Sequence, residues 1–312
     1  GSRPASGTLG QPAMIRPHDS IVILGLGLFG GSLARWLRST GFCREIFGWG
    51  HRDASLRRGV ELGIIDNYSL NLEEAIADAD VIVVATPTLV AADMLRQVLP
   101  LLPRDGSGPV VTDVASVKGS LRQAAIEVTG GMPAQLVLGH PIAGSERSGV
   151  DASAVDLFQR HRVILTPEHD SDPDAVELVR RMWASTGAEV VDMDVDTHDS
   201  VLAATSHLPH VLAYALVDAL AQSDVSDNIF RFAAGGFRDF TRIASSDPVM
   251  WKDIALANRE ALLASLDEFN AHLLTLRAAI DTADAEALLA TFTRAKTARD
   301  DFASSTAERD AP

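Results

Sequence analysis

Short, unbroken runs of apolar residues alternate with segments of helical periodicity through the first 195 residues. Runs of this kind are typical of strands that are buried on both faces of a parallel sheet. They predict strands at 20–25, 45–49, 80–85, 109–114, 136–138, 163–167 and 188–192, and helices at 54–62, 89–101 and 174–186. The alternation therefore predicts an α/β fold with a mainly parallel sheet.

The pattern changes at both ends of this region. Residues 1–18 are rich in Gly, Pro and Ser without periodicity, which predicts a disordered tail. From Thr197 onward the periodicity is helical, with an apolar helix at 201–220 and two amphipathic helices at 249–280 and 283–302. The apolar stripe of these last helices needs a partner, so we expect a homodimer through this part of the chain.

Charge and cysteine content narrow the class of protein. The formal net charge is −15, and no basic stripe is visible, which argues against nucleic acid as a partner. No apolar run approaches the roughly 18 residues that span a bilayer, so we expect no membrane association. The single cysteine, Cys43, excludes an intrachain disulfide and fits a reducing compartment, so we expect a cytoplasmic protein.

The first predicted strand runs directly into a glycine-rich loop followed by a helical pattern. The loop reads Gly25-Leu26-Gly27-Leu28-Phe29-Gly30. Gly25 permits a tight turn, Gly27 lets the backbone approach a pyrophosphate, and Gly30 lets the helix pack closely on the strand. This context predicts a Rossmann-type, doubly wound dinucleotide-binding domain over 19–195, followed by an all-α substrate and dimerisation domain over 196–312. We expect Leu28 and Phe29 to belong to the cofactor loop.

The end of the second strand bears on the choice of cofactor. An acid that binds the ribose of NAD is expected near position 50, where the sequence reads Gly50-His51-Arg52-Asp53. Because Arg52 can pair with a 2′-phosphate, and His51 lies beside it, we favour NADP over NAD. The alternative is that Arg52 is solvated and Asp53 reaches the ribose.

Polar side chains follow several predicted strands at the edge that holds the glycine loop. Thr86 and Pro87 end one strand and would sit beside the cofactor, Ala115 and Ser116 end the next, and His140 ends a third. A hydroxyl and a neutral imidazole at this edge suit hydride transfer from an alcohol, because the imidazole can take the O–H proton. The alternatives are that His140 only bonds backbone and that Ser116 caps the next helix.

The apolar helix of the second region contains the sequence Ser206-His207-Leu208-Pro209-His210. Pro209 predicts a kink, and His207 and His210 share a helix face. No nearby carboxylate or cysteine completes a metal-ligand set, so we expect no metal. The two histidines are then either satisfied core residues or one wall of a polar pocket that faces the cofactor.

A glycine-led segment before the long helices concentrates charge. Arg238, Asp239 and Arg242 precede Asp247, which is placed to cap a helix that carries Trp251 on its first turn. In an acidic protein such arginines predict a corner that binds a substrate carboxylate. The alternative is a structural cluster of ion pairs.

Taken together, these motifs resemble one family, the prephenate/arogenate dehydrogenases of tyrosine biosynthesis. The resemblance spans nearly the whole chain in five segments, at 25–30, 113–119, 139–149, 206–210 and 235–251. Gly-His-Pro-Ile-Ala-Gly-Ser-Glu followed by Ser-His-Leu-Pro-His is its most specific part.

The resemblance implies an oxidative decarboxylation of a cyclohexadiene, in which hydride leaves C4 for a nicotinamide and CO2 departs. It implies that His140 is the catalytic histidine, that Ser116 helps to hold the C4 hydroxyl, and that Arg242 binds a carboxylate. It places other residues at the pocket with less defined roles, namely His207, His210, Asp239, Trp251 and Glu146. His210 favours prephenate, or use of both substrates, over strict use of arogenate.

The sequence also permits two other functional interpretations. One is another two-domain reductase, such as a β-hydroxyacid dehydrogenase or an imine reductase, although such enzymes rely on a lysine or aspartate of the second domain. The other is a non-catalytic NADP sensor, which would not need His140, Ser116 and Arg242 to converge.

Overall fold

The computed structural model describes residues 18–144, 149–224 and 226–310. The predicted tail therefore lies outside the described residues, apart from His18. The predicted pocket residue Glu146 lies outside them as well. The division into domains at 195 stays a prediction.

Within the described residues, eight strands form one sheet in the order β3-β2-β1-β4-β5-β6-β7-β8. All neighbours pair in parallel except β6 and β7. The strands are β1 (His18–Leu24), β2 (Cys43–Trp49), β3 (Asn67–Ser69), β4 (Val81–Val84), β5 (Val110–Asp113), β6 (Leu136–Ile142), β7 (Arg162–Thr166) and β8 (Glu189–Asp192). The predicted α/β architecture is confirmed, and only β3, a three-residue edge strand, was not expected.

Helices cover both faces of this sheet, which explains why its strands are apolar without interruption. Successive residues of a strand point to opposite faces. Ile21 and Ile23 accordingly enter one buried cluster, whereas Val22 and Leu24 enter another. The helices are α1 (Leu28–Thr40), α2 (Asp53–Glu61), α3 (Leu72–Ile76), α4 (Thr88–Val98), α5 (Gly119–Thr129) and α6 (Pro173–Ser185). Of these, α3 and α5 were not predicted.

The strand that carries His140 is longer than predicted. β6 pairs with β5 only through Leu136 and Val137, and its remaining residues pair antiparallel with β7, where His140 lies opposite Ile164. His140 is therefore inside a strand, beyond the carboxyl end of β5, and not in a loop at a strand tip. The antiparallel partner fixes its backbone more firmly than a loop would.

The second half of the described chain is helical, as predicted. α7 (Val195–Leu202), a π-helical turn (Ala203–His207) and α8 (Leu208–Ala221) follow one another without a break. Proline removes a backbone donor within a helix. The π-helical turn directly before Pro209 is where this helix departs from regular geometry, in place of a simple kink.

The long helix predicted at 249–280 is wrong as a single element. Asn258 adopts φ −108° and ψ 35°, which ends α11 (Pro248–Ala257) and starts α12 (Arg259–Asp281). Asp247 caps α11, because its side chain accepts hydrogen bonds from the N–H groups of Val249 and Met250. The remaining helices are α9 (Ser226–Arg231), α10 (Gly235–Thr241) and α13 (Ala285–Asp310), with a 3-10 turn at Arg242–Ser245. α11 packs on α4, which joins the helical region to the sheet region.

The apolar helix at Val195–Ala221 corrects one expectation. By length and composition it could cross a membrane, because α7, the π-helical turn and α8 join end to end. It nevertheless takes part in the helical region, where the Tyr214 hydroxyl donates a 2.7 Å hydrogen bond to the Ser246 carbonyl.

Candidate active site

The glycine loop forms a cradle at the start of α1. Gly25 has φ +101°, and a Cβ on Gly30 would lie 2.2 Å from the Gly25 carbonyl oxygen, so neither position accepts a side chain without movement. A Cβ on Gly27 would meet no atom within 4 Å. Gly27 precedes α1 in an extended conformation and no side chain caps the helix there. No described side chain bonds the first N–H groups of α1, which leaves them for a pyrophosphate.

Neighbouring residues complete the cradle in different ways. The Thr86 hydroxyl is buried and has no hydrogen-bond partner among the described residues. Pro87 is exposed before α4. Leu28 is half-buried in the loop. The Phe29 ring packs 5.9 Å from Phe158, which gives that side chain a structural role.

At the end of β2, the acid and the arginine have different surroundings. Asp53 accepts a 2.7 Å hydrogen bond from the Tyr68 hydroxyl and pairs with Arg57. Arg52 is exposed and forms no ion pair with any described residue. His51 is exposed and its ring meets Trp49 edge-on at 4.8 Å. The guanidinium of Arg52 is thus available to an anion, whereas both oxygens of Asp53 are already engaged.

His140 lies at the same edge of the sheet, 7% exposed. Its Nδ1 is 2.8 Å from Nε2 of His198, and Nδ1 of His198 is 2.8 Å from the carboxylate of Asp199. Burial lowers the pKa of His140 well below its ordinary value, and the positive charge of Lys118 acts in the same direction. His140 is therefore neutral near pH 7, and its partner is a side chain and not the backbone.

A buried ion pair fixes the backbone beside His140. Lys118 and Asp113 are both fully buried and bonded to each other. Lys118 also donates to the Gly139 carbonyl at 2.5 Å, and Asp113 accepts from the Gly139 N–H at 3.0 Å. Asp113 further accepts from the N–H of Ala115, which is itself buried. These bonds tie the loop after β5 to β6.

Ser116 lies in that loop and is half-buried. It does not cap α5, because the carboxylate of Asp199 accepts from the N–H groups of Lys118 and Gly119 at 2.9 and 2.7 Å. Ser116 therefore stays available at the edge of the sheet, adjacent in the fold to the β6 segment that carries His140.

The helical region supplies an aromatic and imidazole wall. His207 is 2% exposed and its Nδ1 accepts a 3.1 Å hydrogen bond from Asn258, which also donates to the Asp199 carbonyl at 2.8 Å. Trp251 stacks on His210 with a centroid distance of 3.5 Å and meets His207 edge-on at 6.1 Å. Burial lowers the pKa of His207 to about 4.

His210 and Trp251 of this wall differ in their hydrogen bonding. His210 donates from Nδ1 to the Ser206 carbonyl at 2.8 Å, which leaves its Nε2 as an acceptor. Burial lowers the pKa of His210, and the charge of Arg242 adds to that effect. The indole N–H of Trp251 is buried and has no hydrogen-bond partner among the described residues.

The charged side chains of the segment before the long helices are exposed. Arg242 is exposed, lies close enough to His210 to act on its pKa, and forms no ion pair with a described residue. Arg238 and Asp239 are also exposed and unpaired among the described residues, so a structural ion-pair cluster is not what this segment forms there. The structure brings His140, His207, His210 and Trp251 together, with Arg242 near His210, whereas Asp239 is exposed on α10.

No group of three or more potential metal ligands occurs among the described residues. Five polar residues that were not predicted lie around the site: Asp113, Lys118, His198 and Asp199 near His140, and Asn258 between Asp199 and His207. The sequence feature that could have identified them is a polar residue within a segment whose apolar pattern predicts burial.

The two regions match two family models in order. The model described as "Prephenate dehydrogenase, nucleotide-binding domain" matches residues 33–192, and "Prephenate dehydrogenase, dimerization domain" matches residues 194–294. The chain belongs to the prephenate dehydrogenase family. Prephenate dehydrogenase of Bacillus subtilis is 37% identical over 92% of this chain and 77% of that protein. Cyclohexadienyl dehydrogenase of Zymomonas mobilis is 35% identical over 89% of this chain and 94% of that protein.

Solved structures of this family have the same fold. Prephenate dehydrogenase from Aquifex aeolicus, in complex with hydroxyphenyl propionate and NAD+, matches with a TM-score of 0.83 and 35% identity over 91% of this chain and 98% of that one. Synechocystis arogenate dehydrogenase matches with a TM-score of 0.77 and 29% identity over 91% and 99% of the two chains. The chain is therefore an oxidoreductase, and its first region binds a nicotinamide dinucleotide.

Proposed function

We propose that this enzyme oxidatively decarboxylates prephenate to 4-hydroxyphenylpyruvate, a step of tyrosine biosynthesis, in the cytoplasm. When bound, the nicotinamide dinucleotide supplies the acceptor for the hydride that leaves C4 of the substrate. The C4 hydroxyl loses its proton, and CO2 departs as the ring becomes aromatic. The observation that carries the proposal is the buried, neutral His140 at the same edge of the sheet as the cofactor cradle and near the wall of His207, His210 and Trp251.

His140 accepts the proton of the C4 hydroxyl. Its lowered pKa keeps the ring unprotonated at neutral pH, which is the form an acceptor needs. Ser116, half-buried and not used as a helix cap, is the second contact to that hydroxyl. We assign both roles to this chain because His140 and Ser116 occupy positions that match the family's motifs.

His140→Asn tests this role. Asparagine keeps a polar group of similar size but has no basic nitrogen, so we expect turnover to fall by about two to four orders of magnitude, the usual range for a lost acid or base. The affinity for cofactor, measured by fluorescence titration, should stay near normal. The control is His169→Asn, which changes a fully exposed histidine and should leave turnover unchanged. Unaltered turnover in His140→Asn would exclude the mechanism.

The substrate carboxylates need positive charge in a protein whose net charge is −15. Arg242 is unpaired among the described residues and lies near His210, so its guanidinium is available to a carboxylate. The buried indole N–H of Trp251, which has no partner among the described residues, is proposed as a further donor. Asp239 and Glu146 keep only the weaker prediction that they line or gate the pocket.

Prephenate is favoured over arogenate by the surroundings of His210. The two substrates differ in a keto or an ammonium group on the side chain. Arg242 lies beside His210 and would repel an ammonium group. Arogenate remains the second candidate, because the chain is also similar to the Synechocystis arogenate dehydrogenase.

NADP is favoured over NAD by the end of β2. Tyr68 and Arg57 engage Asp53, the acid that could otherwise bind the ribose, whereas Arg52 is free to pair with a 2′-phosphate. The Aquifex aeolicus relative was solved with NAD+, so the choice rests on these residues of this chain.

Arg52→Ala tests the cofactor preference. We expect it to raise the Km for NADP+ by about tenfold and to leave that for NAD+ nearly unchanged, since only the phosphate contact is lost. Arg104→Ala, an exposed arginine in the loop before β5, is the control and should change neither constant. A wild-type preference for NAD+ would refute the proposal.

A homodimer through the helical region is the proposed assembly. The family model for this region is a dimerization domain, and the long helices leave large apolar side chains exposed, including Leu273, Leu274, Ile280, Leu289 and Phe292. We expect a second copy to cover these residues. Sedimentation equilibrium should give twice the chain mass.

A further inference from the structure

Two buried polar residues behind His140 have no part in the proposed chemistry so far. His198 is fully buried, and the Asp199 carboxylate beside it is 13% exposed. Both belong to α7, whereas His140 belongs to β6, so the contact joins the helical region to the sheet. The three side chains form a continuous series of 2.8 Å hydrogen bonds from Asp199 through His198 to His140.

The direction of these bonds follows from Asp199. Burial pushes the pKa of Asp199 up, but hydrogen bonds from His198 and from the N–H groups of Lys118 and Gly119 outweigh it, and the pKa lies below its ordinary value. Asp199 is therefore an anion that only accepts. Nδ1 of His198 must then donate to Asp199, and Nε2 of His198 is the atom that can accept from Nδ1 of His140.

We propose that His198 and Asp199 are positioning residues, which hold His140 in its Nδ1–H tautomer so that the Nε2 lone pair is left to accept the substrate proton. The inference rests on the proposed function, because it assigns the atom of His140 that performs the proton transfer. The proton moves from the substrate hydroxyl to Nε2, and the imidazolium that forms keeps its Nδ1–H bond to His198. A buried aspartate selects the tautomer of a catalytic histidine in the same way in serine proteases.

The surroundings of His140 disfavour its charged form. Burial lowers the pKa of this ring most, and the neighbouring His198, Lys118 and His207 lower it further. An imidazolium in this place is therefore costly unless a nearby anion stabilises it. Asp113 is already bonded to Lys118, which leaves Asp199, acting through His198, as the available anion among the described residues.

The test compares two variants of His198, one of which keeps a hydrogen-bond acceptor for His140 and one of which does not. The side-chain carbonyl of glutamine in His198→Gln can still accept from Nδ1 of His140, whereas His198→Phe fills the space but accepts nothing. In wild type, nitrogen-15 NMR of histidine-labelled enzyme should show Nδ1 of His140 protonated and Nε2 unprotonated, with His140→Asn assigning the signal. The Gln variant should keep this tautomer, and the Phe variant should lose it.

Activity should follow the tautomer. We expect kcat to fall by about 10²-fold in His198→Phe, the lower end of the range for a lost acid or base, and to stay within about tenfold of wild type in His198→Gln. The Km for substrate and the cofactor affinity should change less than about threefold in both. A role confined to packing would instead lower the melting temperature of the variants without moving the NMR signals.

The outcomes separate the two proposals. A wild-type enzyme that oxidises neither cyclohexadiene would refute the proposed function. An Nε2-protonated His140 in wild type, or an Nδ1–H tautomer that survives in His198→Phe, would overturn the inference whatever the substrate. Equal loss of kcat in both variants would overturn it as well.

Discussion

Gly27→Ala separates cofactor binding from folding more cleanly than any other change in the cradle. The backbone of Gly27 has φ −103° and ψ −152°, which alanine also adopts, and its new Cβ would meet no protein atom within 4 Å. The free energy of unfolding should therefore stay equal or rise by up to about 1 kcal/mol, because alanine restricts the unfolded chain. The methyl group would instead occupy the space that a pyrophosphate needs.

The expected loss of affinity is large. Losing one or two hydrogen bonds between backbone N–H groups and a charged phosphate costs about 3 kcal/mol, or a factor of about 100 in Kd. Isothermal titration with NADP+ and NAD+ measures the affinity, and chemical denaturation measures the stability. A Gly27→Ala enzyme that binds both cofactors normally would refute the assignment of this loop.

Two glycines serve as comparisons for that experiment. A Cβ on Gly131 also meets no described atom within 4 Å, and Gly131 follows α5, outside the glycine loop, so Gly131→Ala should have the same small effect on stability and none on cofactor affinity. Gly30→Ala places a Cβ 2.2 Å from the Gly25 carbonyl and should destabilise the fold by about 1–3 kcal/mol. Equal stability of Gly27→Ala and Gly30→Ala would show that the packing of α1 on β1 is described wrongly.

Two further predictions concern the substrate and pH. Arg242→Gln should raise the Km for substrate by at least about tenfold with little change in cofactor affinity, since a charged hydrogen bond to a carboxylate is lost; a change in cofactor affinity alone would contradict the carboxylate role. Because burial lowers the pKa of His140, its acceptor form persists as the pH falls, so kcat/KM should be nearly flat between pH 7 and pH 6. A histidine of ordinary pKa would lose about threefold over that interval, and such a loss in initial-rate measurements would contradict the neutral, buried His140.

The sequence predicted those parts of the fold that depend on local pattern. Unbroken apolar runs located seven of the strands, because strands covered on both faces have no polar side. The glycine loop and the helix cap at Asp247 could also be predicted, since each depends on a few adjacent residues. The strand β3 was missed because three residues carry too little periodicity to register.

The surroundings of His140 could not be predicted, because they depend on contacts between distant elements. Asp199 caps α5 from α7, and His198 reaches β6, across 80 and 58 residues of sequence respectively. Asn258 interrupts the helix predicted at 249–280. Its side-chain amide donates hydrogen bonds to the Asp199 carbonyl and to Nδ1 of His207. A pattern of apolar positions does not record which polar residue meets which.

The most direct test of the proposed reaction is one spectrophotometric panel, in which prephenate and arogenate are each supplied with NADP+ and with NAD+. Formation of the reduced cofactor is followed at its absorbance band, together with the appearance of the aromatic product. We predict the highest kcat/KM for prephenate with NADP+. If neither substrate reduces either cofactor, the proposed reaction is contradicted.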